Sequence, residues 1–245
     1  LRIGADVAGA VPLRANADLG HMGVIRVGEG FVVSGNWTKE LISRGQKANI
    51  IKRYMNGKEL VSGEQSRLVI DTFGLTEDEL REKFPIIYQH LSDTVKPERE
   101  AKAENSSDYK KYAADWWLFA KPRGEMRMAL AGLARYIATT ETAKFRCFSF
   151  LDPSILPDQK LRVIAIEDAF CLSTLTSKLH LLWADASGGR LGVGNDLVYN
   201  HSKCFDPFPF PDPTEEQKAR LRALGEQLDA HRKAQQAAHP KLTLT

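Results

Sequence analysis

The sequence predicts one mixed α/β (α+β) domain, built on a mixed sheet with flanking helices and followed by a C-terminal helical appendage. Short strand-like segments alternate with helical periodicities along the chain, and no segment is repeated. A run of phenylalanines and prolines then precedes one last helical pattern. Because 245 residues leave room for one large domain and an appendage, we place the domain at residues 1–211 and the appendage at residues 212–245.

The composition is that of a globular protein, with 43% hydrophobic and 27% charged residues. A net charge of +3 is compatible with an anionic partner, but no basic block requires one. The 3 cysteines form no C-x-x-C pair, which predicts a reducing cytoplasm and argues against a disulfide framework or a zinc site. No apolar run approaches the roughly 20 residues of a membrane helix. The start lacks a signal peptide and an initiator Met, so we expect a piece of a longer protein with no membrane association.

Two strands, one helix and a turn are predicted in the first 75 residues. Residues 1–35 have the pattern of a loop with one short strand, because glycines interrupt the alternation of apolar and charged residues. A helix is expected from Lys39 to about Gly45. The Asn56-Gly57 pair is the typical signal of a tight turn, and Ser66–Asp71 has the composition of a buried strand.

Two helices and a charged segment are predicted next. Thr76–Phe84 starts with a capping-box pattern, Thr76-x-x-Glu79, and a second helix runs from about Ile86 to Val95. Residues 97–111 are so charged that we expect a solvated helix or a mobile segment there.

Most of the strand signal lies between Trp116 and Ala186. Trp116–Phe119 is too apolar for a loop, its tryptophan pair is expected in the core, and Arg127–Leu133 has a helical pattern. Three strand candidates follow, with a Pro157-Asp158 turn between the last two. They span residues 135–139, 146–151 and 161–166.

Leucine periodicity predicts the remaining helices. One helix begins at Asp168, carries a stripe of four leucines and ends at Gly188-Gly189. A polar loop, residues 192–203, comes next. The last helix opens with Thr214-x-x-Gln217 and carries a second leucine stripe. The two stripes are Leu172, Leu175, Leu179 and Leu182, and Leu221, Leu224 and Leu228.

The Phe–Pro segment, residues 205–214, has several possible interpretations. Asp206-Pro207-Phe208-Pro209 resembles the Asp/Asn-Pro-Pro-Tyr/Phe loop of amino-group DNA methyltransferases, but Phe208 replaces the second proline and a polar stretch precedes it. The Gly28-x-Gly30 pair is a poor cofactor turn, because it runs into another strand-like stretch. A proline-rich ligand would expose three aromatic residues at a high cost. We therefore expect these aromatic side chains to pack against the domain.

Other candidate chemistry is weak. The histidines lack metal-ligand spacing, and His180 is expected to be a core residue. Glu100-Ala-Lys102 and Pro157-Asp158 occur in the reverse order to a nuclease motif. We therefore predict no catalytic, cofactor-binding or metal-binding residue in this chain.

Basic residues recur through the strand–helix–loop block without forming one stripe. They are either ordinary surface charges or contacts to DNA phosphates, with polar loop residues contacting base edges. These basic residues are Lys144, Arg146, Lys160, Arg162, Lys178, Arg190 and Lys203.

An ordered set of short motifs resembles a known family. The motifs include W-W-L-F, F-L-D-P-S-I-L-P-D, L-T-S-K-L-H and C-F-D-P-F-P-F-P-D, and G-V-I-R-V-G-E-G-F-V-V and R-L-V-I-D precede them. Over about residues 15–212 the chain is similar to the C-terminal part of MmeI-like (type IIL) restriction–modification enzymes and related class I adenine DNA methyltransferases. Residues 143–146, A-K-F-R, stand where relatives often carry S-K-H-R, so Lys144 and Arg146 match and Phe145 does not.

The resemblance implies a target recognition domain that binds double-stranded DNA. In this family a methyltransferase core with S-adenosylmethionine and an Asn-Pro-Pro-Tyr loop lies N-terminal to that domain, and some members add an Mg²⁺-dependent nuclease. The core methylates adenine at N6, and base-specifying residues lie partly in the stretch that corresponds to Gly188–Lys203. The implied DNA-binding residues are Lys144, Arg146, Lys178, Arg190, Asn195, Asp196, Asn200 and Lys203. A complete small S-adenosylmethionine enzyme and a protein-interaction module remain the alternatives.

Overall fold

The computed structural model describes residues 7–64, 67–191 and 196–244. Its helices and strands are mixed along the chain. Among the described residues the helices are α1 (Gly35–Ser43), α2 (Gly57–Ser62), α3 (Glu77–Lys83), α4 (Pro85–Thr94), α5 (Lys96–Ala103), α6 (Ser107–Ala114), α7 (Gly124–Leu130), α8 (Ala169–Thr176), α9 (Lys178–Ser187), α10 (His201–Cys204) and α11 (Glu215–Ala238). The strands are β1 (Gly20–Met22), β2 (Val32–Val33), β3 (Ile51–Met55), β4 (Arg67–Ile70), β5 (Tyr136–Thr140), β6 (Thr142–Ala143), β7 (Ser149–Leu151), β8 (Ile155–Pro157), β9 (Leu161–Ile164), β10 (Gly189–Leu191) and β11 (Asp196–Val198).

The strands of the described residues form three sheets. A four-stranded sheet has the order β1-β9-β5-β7, and a second has the order β2-β4-β3-β8. The second sheet is mixed, because β3 runs antiparallel to β4 and parallel to β8. The third sheet is small and has the order β10-β11-β6. The predicted mixed α/β class is therefore confirmed.

The buried apolar side chains form two clusters, one on each side of the four-stranded sheet β1-β9-β5-β7, which we call the central sheet. Phe31, Leu80 and Trp116 belong to the larger cluster, around the mixed sheet and helices α3 and α4. Phe148 and Leu172 belong to the smaller cluster, between the central sheet and helices α8 and α9. Alternate residues of β5 enter different clusters, because neighbouring side chains on a strand point to opposite faces.

The prediction that Trp116–Phe119 is not a loop is wrong, although its side chains are buried as expected. The segment is a turn, and Trp116 is 2% exposed. Arg99 of α5 satisfies the carbonyl groups of this buried turn and of a neighbouring segment, which removes the usual cost of burying irregular backbone. Its guanidinium donates to the carbonyl oxygens of Arg26, Val27, Tyr112, Asp115, Trp116 and Leu118 at 2.6–3.3 Å.

The solvated-helix alternative is confirmed for the charged segment at 97–111, which is helical and mostly exposed, whereas the Asn56-Gly57 pair differs from expectation. The charged segment forms most of α5 and α6, and its Arg99 is buried. Asn56 is the N-cap of α2, where its side chain and that of Glu59 form a capping box. The prediction of a tight turn is wrong, because this reciprocal cap stabilises a helix start at the same glycine.

The predicted leucine-rich helix is two helices. Ser177 separates α8 from α9, and its Oγ accepts the His180 N–H as an N-cap. This break rotates the second half of the stripe, so Leu175 is buried while Leu179 is 70% exposed. The predicted end at Gly188 is correct.

The last helix contacts the domain through small and polar residues, and the predicted leucine stripe is not its main contact. Gly225 faces α8 so closely that a Cβ atom would lie 2.4 Å from the Ala169 carbonyl oxygen. The buried carboxylate of Asp229 accepts from Ser149 Oγ and Phe150 N, both at 3.0 Å, while Leu224 is 50% exposed. The boundary at residue 211 stays a prediction.

The Phe–Pro segment packs against the smaller cluster, as expected. Phe205 and Phe208 are buried. Asn16 Nδ2 lies 2.8–3.1 Å from the carbonyl oxygens of Phe205, Asp206 and Phe208, which links the N-terminal region to this segment. In the described ranges no helix is long and apolar enough to cross a bilayer.

Candidate nucleic-acid interface

The small sheet brings three of the predicted residues together from separate segments. Arg190 of β10 pairs with Leu197 of β11, and Leu191 pairs with Asp196. Leu197 also pairs with Ala143 of β6. Lys144 follows Ala143 directly, so it leaves the sheet at the end where Asp196 begins β11. Lys144, Arg190 and Asp196 are all exposed.

Arg190 is held by an acidic residue that sequence reasoning missed. Its guanidinium forms an ion pair with the carboxylate of Asp185 on α9. Asp185 therefore limits the orientations of the Arg190 side chain and reduces the net positive charge of this edge.

Arg146 lies beneath the same edge. Its guanidinium donates to the carbonyl oxygens of Thr140 and Leu197, the second at 2.8 Å, and stacks over the Tyr199 ring at 5.2 Å. Burial lowers the pKa of Arg146 to about 10, so the group stays cationic at neutral pH. This geometry makes Arg146 a support for the sheet.

The other predicted residues that the structure describes lie outside the strands of the small sheet. Lys178 is exposed at the first position of α9, and Lys203 is exposed in α10. Asn200 is the N-cap of α10, and its Oδ1 accepts from Ser202 N at 3.1 Å. Asn195 falls outside the described residues. Two further basic side chains, Lys160 and Arg162, both pair with Glu141.

An apolar cavity of about 220 Å³ lies behind the small sheet. Phe145, Leu181 and Tyr199 contribute to its walls. The Tyr199 hydroxyl lies 3.0 Å from His180 Nε2, and burial lowers the pKa of His180 to about 3. His180 is therefore the neutral core residue that the sequence predicted.

A second, polar groove of about 740 Å³ was missed by sequence reasoning. It runs between β1, the start of α7 and α10, and its lining includes Asp18, Arg123 and Asp206. Burial and the nearby Asp18 carboxylate raise the pKa of Asp206 to about 6. Burial lowers the pKa of His201, also in the lining, to about 4. These residues are far apart in sequence, and no single motif contains them.

The geometry around Gly28 and Gly30 does not fit a cofactor turn. A Cβ atom on Gly30 would lie 2.1 Å from Thr94 Oγ1, and one on Gly28 would lie 3.2 Å from Val95 Cγ1. The glycines thus allow close packing against the end of α4.

The chain belongs to a family of target recognition domains. A family model described as the target recognition domain of MmeI matches residues 15–212. The chain is therefore a target recognition domain of the MmeI type.

Two solved structures resemble the chain. The type IIL restriction–modification enzyme MmeI, solved in complex with DNA, matches with a TM-score of 0.75 and 18% identity, over 100% of this chain and 31% of the MmeI chain. The type IIG restriction endonuclease BpuSI matches with a TM-score of 0.48 and 8% identity, over 88% of this chain and 26% of that chain. The chain thus spans less than a third of the length of either, and the MmeI likeness concerns the fold alone. No curated protein matches the chain.

Proposed function

We propose that this chain recognises a specific sequence of double-stranded DNA, as the specificity module of a cytoplasmic restriction–modification enzyme that methylates adenine at N6. The methyltransferase core, which uses S-adenosylmethionine, lies N-terminal to the chain in this proposal. Mg²⁺ is required where the parent enzyme also has a nuclease domain. Membership of the MmeI target recognition family supports the proposal.

The observation that carries the proposal is the edge of the small sheet. Backbone pairing between β6, β10 and β11 fixes the positions of Lys144, Arg190 and Asp196 relative to one another. Side chains on paired strands are more precisely placed than side chains on a free loop. Base discrimination needs this precision, because one base pair differs from another only in the pattern of donors and acceptors on its edge.

Each side chain has a role that its chemistry suits. Arg190 presents two donors in a fork that fits the N7 and O6 acceptors of guanine, and Asp185 holds the fork. The Asp196 carboxylate can accept a hydrogen bond, for example from the N4 amino group of cytosine. Asn200 acts through Nδ2, since its Oδ1 already accepts from Ser202. Asn195 is included in the proposal because of its position in the sequence alone.

The exposed lysines are assigned to phosphates. Lys144, Lys178 and Lys203 carry compact charges on flexible stems, which suits sequence-independent contacts. Arg146 is assigned a supporting role, because its guanidinium donates to the carbonyl groups of Thr140 and Leu197.

Binding to DNA is tested by selection followed by a salt series. A randomised duplex pool is enriched on the immobilised chain, and the affinity for the enriched duplex is then measured by fluorescence anisotropy between 50 and 300 mM salt. Three phosphate contacts predict a slope of log K against log salt of about −2.7 or steeper. Lys144→Ala should make the slope shallower by about 1. Lys110→Ala, at an exposed lysine of α6, is the matched control and should leave the slope unchanged. Undetectable or salt-independent binding contradicts the proposal.

Binding of S-adenosylmethionine separates this proposal from that of a complete small enzyme. The packing of Gly28 and Gly30 against α4 supports the expectation of no binding by this chain. Calorimetric titration should show no heat of binding. A tight, saturable isotherm would mean that the chain holds its own methyl donor.

A further inference from the structure

Phe145 is an exposed aromatic residue at the proposed DNA-binding edge. Its side chain is 62% exposed, the largest value among the phenylalanines of the chain. It follows Lys144 in the connection between β6 and β7. A single exposed apolar residue is common on protein surfaces, so exposure by itself has no functional meaning.

The backbone on either side of Phe145 is held in place. Ala143 belongs to β6 and pairs with Leu197. Arg146 donates to the carbonyl oxygens of Thr140 and Leu197. The phenyl ring therefore projects from a connection that is anchored on both sides, so little backbone entropy is lost when it contacts a partner.

The charges around Phe145 favour an anionic partner with aromatic surfaces. Lys144 Nζ lies 5.6 Å from the centre of the ring, and Arg146, the next residue, is also cationic at neutral pH. Asp185, the carboxylate in the lining of the adjacent cavity, is paired with Arg190. An aromatic ring beside cations suits nucleic acid, in which bases present flat apolar faces next to phosphates.

We propose that Phe145 is an apolar wedge, which stacks against the bases of one step of the bound duplex while Lys144 contacts the adjacent phosphate. This inference rests on the proposed function, because it requires that the small-sheet edge faces DNA. Side chains of this kind partly unstack a base step and bend the duplex, which makes binding sensitive to how easily that step opens. Phe145 thereby adds a preference for a flexible step without any hydrogen bond to a base.

The test uses the chain and the duplex enriched in the selection experiment. Phe145→Ala should weaken binding by about 5- to 100-fold, because base–aromatic stacking is lost. The salt slope should stay the same, because no charge is removed. Phe145→Trp should bind at least as well as the wild type, and Phe145→Leu should fall between the wild type and Phe145→Ala, since leucine keeps the apolar wedge volume but lacks the ring that stacks on a base.

A second readout reports the base step directly. With 2-aminopurine placed at successive positions of the duplex, binding of the wild type should change the fluorescence at one step, and Phe145→Ala should abolish that change. Phe73→Ala is the matched control, because Phe73 is also exposed, at 45%, but lies under Arg127 in the connection between β4 and α3. It should leave both readouts unaltered.

The outcomes separate the wedge from the function on which it rests. If the wild type binds the duplex with the expected salt slope but Phe145→Ala binds within twofold of it, the wedge is wrong and the proposed function stands. If the wild type binds no duplex, both are wrong. Thermal melting should show Phe145→Ala folded, since the lost side chain is exposed.

Discussion

Arg146 Nη2 donates a hydrogen bond of 2.8 Å to the carbonyl oxygen of Leu197. This bond joins the connection after β6 to the middle of β11, so one half-buried cation supports both segments of the proposed DNA-binding edge. It also explains why Arg146 is only half-buried and not exposed, although Lys144 and Phe145 just before it are exposed.

Replacement of Arg146 should therefore lower stability and DNA affinity together. Arg146→Met leaves the carbonyl groups of Thr140 and Leu197 without their donor, and we expect a loss of about 2–4 kcal/mol in the free energy of unfolding. Urea unfolding measures this loss. The control is Lys144→Met, at an exposed lysine two residues before Arg146. It should change the free energy of unfolding by about 0.5 kcal/mol or less. Equal stabilities of the two variants would contradict a supporting role for Arg146.

Arg99 should be among the most sensitive positions of the larger cluster. Arg99→Met removes one donor from each of six carbonyl groups, and the expected cost is about 3–5 kcal/mol. Arg99→Lys should recover only part of it, because an ammonium group donates from one point and not from a fork. Lys102→Met, which removes an exposed ion pair with Glu98, should leave the free energy of unfolding nearly unchanged. A small effect of Arg99→Met in chemical denaturation would refute this account of the buried turn.

Gly225 tests the packing of α11 on α8. Alanine is the better helix former by about 1 kcal/mol, but its Cβ would lie 2.4 Å from the Ala169 carbonyl oxygen and 2.7 Å from Ser173 Oγ. We expect Gly225→Ala to destabilise the chain by about 1–3 kcal/mol, although alanine has the higher helix propensity. Gln227→Ala, at an exposed position of the same helix, should be neutral. A stabilised Gly225→Ala variant would mean that α11 does not pack closely here.

Asp206 should make stability depend on pH. Its pKa in the folded chain is raised to about 6, so the folded state favours the neutral carboxyl, and the contribution of this group to stability falls as pH rises from about 4 to 6. Asp206→Asn should then melt about 1–3 °C higher than the wild type at pH 7.5, after allowance for partial exposure. At pH 4 the two should melt alike.

The companion variant for this prediction is Asp18→Asn. It removes the nearby charge but not the burial, so it should give a smaller gain than Asp206→Asn at pH 7.5. Identical pH dependence in the wild type and Asp206→Asn would exclude Asp206 as the source.

Local patterns made some elements predictable. The capping boxes at Thr76 and Thr214 involve residues three positions apart, and both mark real helix starts. Asn56-Gly57 was misassigned because it satisfies a turn motif and a capping box with Glu59, and only the tertiary structure selects between them. The break at Ser177 was missed because the leucine periodicity continues across it.

The candidate site is formed by contacts between residues that are far apart in the sequence, and these contacts could not be predicted. The family resemblance predicted the family and the stretch around Asp196, and the structure then brought Lys144 beside that stretch through the pairing of β6 with β11. The ion pair between Asp185 and Arg190 and the burial of Arg146 arise from packing between segments. The polar groove around Asp206 draws on three distant segments, so no periodicity could indicate it.

The central claim is that the small-sheet edge selects a DNA sequence, and repeated duplex selection with an Asp196 variant tests it most directly. The wild type should enrich one sequence, and Asp196→Asn should enrich a sequence that differs at one position, since a lost good base contact is worth about 1–3 kcal/mol. Glu216→Gln, at an exposed carboxylate of α11, should enrich the wild-type sequence. If Asp196→Asn instead enriches the same sequence as the wild type, or if neither enriches any, the edge does not determine specificity.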